Sequence, residues 1–278
     1  MSPLALGLVL FAALLHASWN AMVKAAPDRA ASLAGIAAAH VIAGLALTAI
    51  SPPPAPESWP SLLASTVVHY GYYVLIFHSY RVGDLSQAYP VARGVAPALV
   101  AVSTFLIIGE NLSPLGWVGV AAVSAGIGLL AFLGGRAGSR QALAYALLLG
   151  LCIAAYSVAD GIGVRRAGDP NAYIGWLFLL EAPVVLFIAG NRARVRAPLG
   201  LRTAAVGLIG GFLSVAAYGI VLHVKTFAPI GAVSAVRESS VVIAALLGVI
   251  LFHERPWKGR LFAAVIVACG VMALAAAP

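Results

Sequence analysis

The chain has 278 residues, of which 62% are hydrophobic and only 9% carry a charge, and its mean hydropathy is +1.00. A soluble domain carries about 25% charged residues, so this chain has too few charges to cover a water-facing surface. The net charge of +8 comes from basic residues that stand singly or in short groups between apolar runs, where the loop anchors of a membrane protein lie. The composition therefore excludes a soluble domain and argues against a nucleic-acid partner.

Ten apolar runs follow one another along the chain, each close to the roughly 20 residues that a helix needs to cross a bilayer. The runs are too long for strands and lack the alternation of a membrane barrel, and short connections with Pro or Gly separate them. The sequence therefore predicts an all-α integral membrane protein with about ten transmembrane helices, multi-pass in the cell inner (plasma) membrane. The predicted spans are 3–24, 31–50, 59–81, 84–109, 114–134, 141–165, 170–190, 200–226, 229–252 and 258–277.

An internal repeat at an offset of 144 residues relates the two halves of the chain. We therefore expect an N-terminal five-helix repeat over 1–137 and a C-terminal one over 138–278. Because five is odd, the second repeat is inverted relative to the first, and inverted repeats place a substrate site near the midplane between them. Glu110 and Glu254 close the two repeats, where we expect them to contact backbone or arginine. The matched pairs are Arg93 with Arg237, Glu110 with Glu254, Gly126 with Gly270 and, with one residue of slippage, Tyr73 with Tyr218.

Charged side chains fall inside several predicted spans, where each costs about 2.5–3.5 kcal/mol at a helix centre on insertion scales. They are Arg93, Asp160, Glu181, Arg237 and Glu238. Two interpretations stay open: the charges contact the substrate or a proton, or the arginines neutralise the acids and hold the two halves together. Asp160, Glu181 and Glu238 are the candidates for proton coupling, because they are the acids placed inside the membrane.

Aromatic and polar residues share helical faces with these charges. His16, Trp19 and Asn20 lie within one turn of each other in the first span, and Tyr156 lies one turn before Asp160. Aromatic faces beside carboxylates suit a cationic or zwitterionic amine through cation–π attraction, whereas the alternative for such rings is an interfacial belt. The candidate substrate-binding residues are Trp19, Asn20, Tyr73, Tyr89, Arg93, Tyr156, Trp176, Tyr218, Arg237 and Glu238.

Several stretches of the chain resemble one family. They are HASWN at 16–20, AYPVARGVAP at 88–97, APIG at 228–231, RESS at 237–240 and FHER at 252–255. These motifs, spread over nearly the whole chain, are similar to those of the drug/metabolite transporter superfamily, specifically its ten-helix EamA branch. The resemblance implies a secondary carrier of amino acids, amines, nucleotide-linked or other small metabolites, and so a transporter of a small polar solute.

The sequence carries no nucleophile elbow, P-loop, zinc or kinase signature. We therefore expect no enzyme, no cofactor and no metal site, and a gradient as the energy source. The leading hypothesis is a secondary active transporter that works by alternating access and exports or exchanges an amino-acid-like, amine or zwitterionic metabolite, with proton coupling as an option. The alternatives are an uptake carrier for a quaternary amine or phosphonate-type nutrient, an intramembrane enzyme and a scaffold. We expect a small-molecule substrate and membrane lipids as partners of a monomer or homodimer.

The basic residues of the predicted loops lie mostly on one side of the membrane. Twelve Lys and Arg lie on the side of the connection between the first two spans, and three, Arg165, Arg166 and Lys225, lie on the side of the termini. The positive-inside rule places the twelve in the cytoplasm and both termini outside. Ten-helix relatives are usually drawn with both termini inside, so the two indications disagree on the orientation.

Overall fold

The computed structural model describes residues 1–26, 28–82, 85–133, 140–184, 186–187, 190, 200–252 and 257–277. Within these ranges the chain forms ten α-helices and no strand, and one 3₁₀ turn, Pro56–Ser58, precedes the third helix. The predicted all-α architecture with about ten spans is confirmed. The helices are α1 (Pro3–Ala25), α2 (Arg29–Ile50), α3 (Trp59–Val82), α4 (Leu85–Ile108), α5 (Pro114–Leu133), α6 (Arg140–Arg166), α7 (Pro170–Leu179), α8 (Leu201–Lys225), α9 (Ile230–Phe252) and α10 (Trp257–Ala276).

Local sequence signals set several helix ends. The Asp28 carboxylate accepts from the Ala31 amide at the start of α2, and the Asp169 carboxylate accepts from the Asn171 amide at the start of α7. Gly109 and Gly168 follow the ends of α4 and α6 with φ of 67° and 78°, a conformation that glycine adopts without a steric cost. The connections after these two helices can therefore be short.

Most of the helices suit a bilayer. In the part of the chain that the structure describes, eight helices are long and apolar enough to cross a membrane. The other two are α3, which carries a run of His and Tyr side chains, and α7, whose regular part has 10 residues. Large apolar side chains such as Leu106 and Phe132 are exposed on the outer surface, as expected where lipid replaces water. The chain is a multi-pass membrane protein.

Helix α7 is shorter than the predicted span over 170–190. The regular helix ends at Leu179, and the chain turns at Leu180 and Glu181 before helical residues 182–184. Pro183 has no N–H group, so it cannot donate to the Leu179 carbonyl and the helical ladder stops there. The Tyr70 hydroxyl on α3 donates to the Leu180 carbonyl at 2.5 Å, which satisfies a backbone group near the break.

The packing of the helices has the pattern of two inverted halves. Helix α1 packs against α8 and α9 of the second half, and α6 packs in the same way against α3 and α4 of the first half. The pairs α2–α7, α4–α9 and α5–α10 each join a helix to its repeat equivalent. Such an exchange of partners follows when a pseudo-two-fold axis relates two five-helix repeats of opposite orientation.

One pair of equivalent contacts breaks this symmetry. Helix α2 lies tightly along α8 because glycines allow their backbones to approach: a Cβ added to Gly35 would lie 2.8 Å from the Gly207 Cα. The equivalent helices α7 and α3 contact each other much less among the described residues. The rings of Trp59 and Trp176, 5.1 Å apart, form one of their contacts. The two halves therefore pack unequally at these two seams.

A hydrogen-bonded network joins the halves at the end of the molecule that holds both termini. The Arg165 guanidinium donates to Glu110 Oε2 at 3.0 Å and to the carbonyls of Lys225 and Ala228. Glu110 Oε1 accepts from the Gly231 amide, in the first turn of α9. The expected contacts of Glu110 with backbone and arginine are confirmed; those predicted for the matched acid at 254 lie outside the described residues.

We expect Gly207→Ala to lower the free energy of unfolding by about 1–3 kcal/mol, the usual cost of overpacking. The added Cβ would lie 2.9 Å from the Ser32 carbonyl oxygen, so α2 and α8 must move apart. Gly219→Ala in the same helix is the matched control, because its Cβ would meet no atom within 4 Å. Thermal unfolding in detergent compares them, and equal melting temperatures would contradict a tight seam.

Candidate functional site

The interior of the membrane-spanning region holds several ionisable side chains. All five charges that the sequence places inside spans are buried, and the structure adds two further residues. They are Arg93, Asp160, Glu181, Arg237 and Glu238, together with His40 and Lys225, and each is at most 8% exposed. Charges in this position are costly unless they pair with one another or with backbone carbonyls, or face a polar cavity. Their partners therefore decide what each one can do.

Arg93 on α4 forms an ion pair with Glu238 on α9. Its Nη1 donates to both carboxylate oxygens, at 2.7 and 2.8 Å, and its Nη2 lies 2.9 Å from Nε2 of His16 on α1. Both partners of the ion pair are 3% exposed or less. The pair joins the two repeats where α4 crosses α9, which supports a role in holding the halves together.

Asp160 on α6 is held by two tyrosine hydroxyls. Tyr173 on α7 donates to Oδ1 at 3.0 Å, and Tyr218 on α8 donates to Oδ2. The ring of Tyr218 also carries the Arg237 guanidinium on its face, 5.0 Å from the ring centre. Asp160 and Arg237 therefore contact opposite parts of one tyrosine side chain.

Arg237 differs from its repeat equivalent in its partners. Among the residues that the structure describes, no carboxylate forms an ion pair with Arg237. Its neighbours are the Tyr218 ring and the Tyr156 side chain. A buried guanidinium without a direct carboxylate partner can bind an anionic group of a ligand.

Glu181 lies at the break in α7 and contacts three other helices directly or through one residue. Its Oε2 lies 2.7 Å from Nδ1 of His40 on α2, and the Tyr73 hydroxyl on α3 donates to the same oxygen at 3.4 Å. Nε2 of His40 lies 3.1 Å from the Ser214 hydroxyl on α8. The broken helix thus presents its acid to a histidine and a tyrosine, and the histidine in turn contacts a serine.

Aromatic rings form a continuous wall between Glu181 and Arg237. His69 stacks on Tyr156 with ring centres 4.3 Å apart, and Tyr72 and Tyr218 lie edge-on to Tyr156 at 6.1 and 6.4 Å. Tyr73 extends this wall from Tyr72 at 6.0 Å. These rings come from α3, α6 and α8, so both repeats contribute to the same surface.

The other predicted binding residues lie in different surroundings. The Trp19 ring packs edge-on against His16, and its buried Nε1 has no hydrogen-bond partner among the residues that the structure describes. The Asn20 amide donates to the His16 carbonyl within its own helix at 2.7 Å. Trp176 packs against Trp59 at the start of α3, among apolar residues rather than buried charges. The Tyr89 side chain lies outside the described part of the structure.

Sequence patterns do not identify two of the interior residues, Lys225 and His40. Lys225 was counted among the loop charges, but it is fully buried and its Nζ donates to the Ser157 carbonyl at 2.9 Å. Its position at the end of a long apolar run gives no signal of this contact. His40 is one of several histidines in apolar runs, and only the tertiary structure singles it out as the partner of Glu181.

Metal chemistry has no support in the described residues. Over the ranges that the structure describes, no group of three or more His, Cys, Asp and Glu side chains could hold a metal ion. The histidine and acid side chains are instead paired with one another or with arginine, tyrosine and serine. The interior is suited to binding a small polar solute through hydrogen bonds, charge and ring faces.

Comparisons with known proteins give a family and a fold. The family model described as the EamA-like transporter family matches residues 3–132 and again 140–276. A crystal structure with 20% sequence identity matches with a TM-score of 0.77 and covers 98% of this chain and 98% of its own. At that identity the likeness shows the fold alone. In all, 28 chains of solved structures match, whereas no curated protein does.

We expect Glu238→Gln to lower the free energy of unfolding by about 3–5 kcal/mol, because it leaves the buried Arg93 without its counter-charge. The double variant Arg93→Gln with Glu238→Gln removes both charges and should recover part of the loss. Thermal unfolding in detergent compares the parent chain, the single variant and the double variant. Glu57→Gln, at an exposed acid in the 3₁₀ turn, is the control. A single variant as stable as the parent chain would show that the pair does not hold the halves together.

Proposed function

Because the chain belongs to the EamA-like transporter family, we propose that it is a secondary active transporter of a small zwitterionic metabolite of the amino-acid type. It would act in the cell inner membrane and export or exchange its substrate by alternating access. The observation that carries this proposal is the buried Arg237, which has no ion-paired carboxylate among the described residues and lies beside a wall of aromatic rings.

The anionic end of the substrate would bind Arg237. A guanidinium presents several N–H donors in a plane, so it matches the two oxygens of a carboxylate. The Tyr218 ring lies against the face of the guanidinium and the Tyr156 side chain shares a hydrogen bond with it, so the ligand would bind the remaining N–H donors. The site lies on α9 next to the Arg93–Glu238 pair, and so between the two repeats, where inverted-repeat transporters bind their substrates.

The cationic end would face the aromatic wall. The rings of Tyr72, Tyr156 and Tyr218 offer negative faces to an ammonium group, and the attraction grows where water is excluded. Asp160 behind this wall adds negative charge, although it already accepts hydrogen bonds from two tyrosine hydroxyls. One end of the site therefore favours an anion and the other a cation, which is the pattern that a zwitterion matches.

Alternating access is supported by the unequal packing of the two repeats. Helices α2 and α8 are in tight contact, whereas the equivalent α7 and α3 contact each other less among the described residues. Two repeats with related sequences can exchange these arrangements, so that the seam that is tight in one state becomes loose in the other. The substrate site then opens to one side of the membrane at a time.

An uptake carrier for a quaternary amine or phosphonate-type nutrient is the second candidate. The aromatic wall favours it, since quaternary ammonium groups bind to tyrosine and tryptophan faces. The guanidinium of Arg237 would bind a phosphonate as well as a carboxylate. The substrate screen described next includes these compounds, because they share the same two ends.

The experiment that tests the proposal measures exchange in proteoliposomes made with the purified chain. A mixture of radiolabelled L-amino acids is added to the external medium of liposomes that contain unlabelled amino acids. Competitors then remove one end at a time: methyl esters lack the carboxylate, carboxylic acids lack the amine, and N-trimethylated betaines and aminophosphonates represent the second candidate. We expect exchange that zwitterions inhibit and that single-ended compounds inhibit poorly. No exchange of any amino acid, betaine or aminophosphonate would contradict the proposal.

We expect Arg237→Gln to weaken the apparent affinity for zwitterions by about 10- to 100-fold, because it removes a charge-assisted hydrogen bond worth about 1.5–3 kcal/mol. Inhibition by amines that lack a carboxylate should change little. Arg237→Lys keeps the charge but loses the planar donor pair. Its apparent affinity for zwitterions should therefore lie between those of the parent chain and Arg237→Gln. Arg202→Gln at the exposed start of α8 is the matched control. An affinity that is unchanged in Arg237→Gln would remove the guanidinium from the substrate site.

A further inference from the structure

We infer that the Glu181–His40 pair is the proton-binding site that couples transport to a proton gradient. The inference rests on the proposed function and adds the coupling ion and its location. The three buried acids have different partners, and the partners decide which acid can exchange a proton during transport.

The direct partners of Glu238 and Asp160 are arginine and tyrosine side chains, which do not gain or lose a proton near neutral pH. Both oxygens of Glu238 accept from Arg93, and arginine stays protonated in proteins. Both oxygens of Asp160 accept from tyrosine hydroxyls. Among the described residues, neither acid therefore has a titratable imidazole as a direct partner.

Glu181 differs because its closest partner is an imidazole, the side chain that titrates between about pH 5 and 8. With one proton on Nδ1, His40 donates to Glu181 while Nε2 accepts from the Ser214 hydroxyl. A second proton on Nε2 makes the ring donate to both partners, and the hydroxyl rotates to accept. The pair gains one proton and becomes neutral, and every hydrogen bond is kept.

The pair lies at the seams that must change during alternating access. His40 belongs to α2 and Glu181 to α7, while Ser214 belongs to α8 and Tyr73 to α3. These are the four helices whose equivalent contacts are unequal, tight for α2 with α8 and looser for α3 with α7. A change of charge at this point acts on all four helices. Glu181 lies directly after the end of the regular part of α7, at its break.

Apart from His40, the titratable groups near Glu181 have hydrogen-bond or stacking partners of their own. On the helices packed against α7 they are His40 on α2, His69, Tyr70 and Tyr73 on α3, Asp160 on α6 and Tyr218 on α8. His69 bonds the Ser65 carbonyl through Nδ1 and stacks on Tyr156. The tyrosine hydroxyls donate to Leu180, Glu181 or Asp160. The imidazole that contacts the Glu181 carboxylate directly is that of His40.

A first measurement detects proton binding without transport. Infrared difference spectra of the purified chain in lipid, taken between about pH 5 and about pH 8, report carboxylate and imidazole bands in the range where imidazole titrates. We expect a band change that is lost in both Glu181→Gln and His40→Gln and kept in Glu57→Gln. A band change that persists in both pair variants would overturn the inference, whatever the transport result.

A second measurement separates coupling from carriage in proteoliposomes. The labelled amino-acid mixture is followed as exchange without a gradient and as accumulation driven by a pH gradient. We expect Glu181→Gln to keep exchange and to lose gradient-driven accumulation. Ser214→Ala, which leaves the ion pair in place and removes the hydroxyl on Nε2, should keep accumulation but shift its pH dependence. It serves as the second variant should Glu181→Gln not fold.

The outcomes distinguish this inference from the proposed function. If the parent chain exchanges no amino acid while the infrared change is present and lost in the pair variants, the transport proposal fails and the proton site stands. If exchange occurs but a pH gradient drives no accumulation, or drives it equally in the parent chain and Glu181→Gln, the coupling inference is wrong and the transport proposal stands.

Discussion

The ion pair between Arg93 and Glu238 sets the charge arrangement of the whole interior. A charge in a bilayer must be balanced inside the protein, and the repeat supplies two arginines at equivalent positions. Only the second of them is followed by an acid, Glu238, because Gly94 stands at the equivalent place in the first half. Glu238 turns to the arginine of the other repeat. Among the described residues Arg237 is thereby left without a directly paired carboxylate, and the proposed anion site rests on this asymmetry.

The tyrosines of the aromatic wall follow the repeat symmetry, whereas the buried acids do not. Tyr73 and Tyr218 are equivalent residues of the two repeats, and each donates its hydroxyl to a buried acid of the second half. The acids themselves, Glu181 and Asp160, lie on different helices and are not repeat mates at the offset of 144. Two equivalent tyrosines thus meet unequal environments. Glu181 pairs with His40, whereas Asp160 accepts from Tyr218, whose ring lies against Arg237.

Sequence patterns predict the scaffold of this protein better than its contacts. Apolar run length places nine of the ten helices within a few residues, and the unusual cost of charge in a membrane identifies Arg93 and Glu181 as interior residues. The early end of α7 depends on one proline and on a tyrosine from another helix. The burial of Lys225 and the choice of His40 as partner depend on which helix faces lie against each other. Periodicity assigns a residue to a face, but tertiary packing chooses what that face meets.

The short path between the proposed proton site and the proposed substrate site offers a physical route for coupling between them. From Glu181 the wall runs through Tyr73, Tyr72 and Tyr156 to Arg237, with neighbouring rings in edge-on contact. A ligand bound to Arg237 beside Tyr156 would lie two rings away from Tyr73, the tyrosine that donates to Glu181. Binding free energies are linked reciprocally, so a proton that changes substrate affinity by some factor must have its own affinity changed by that factor. Coupling in this chain therefore requires no long-range pathway, because both ligands would share one wall of side chains.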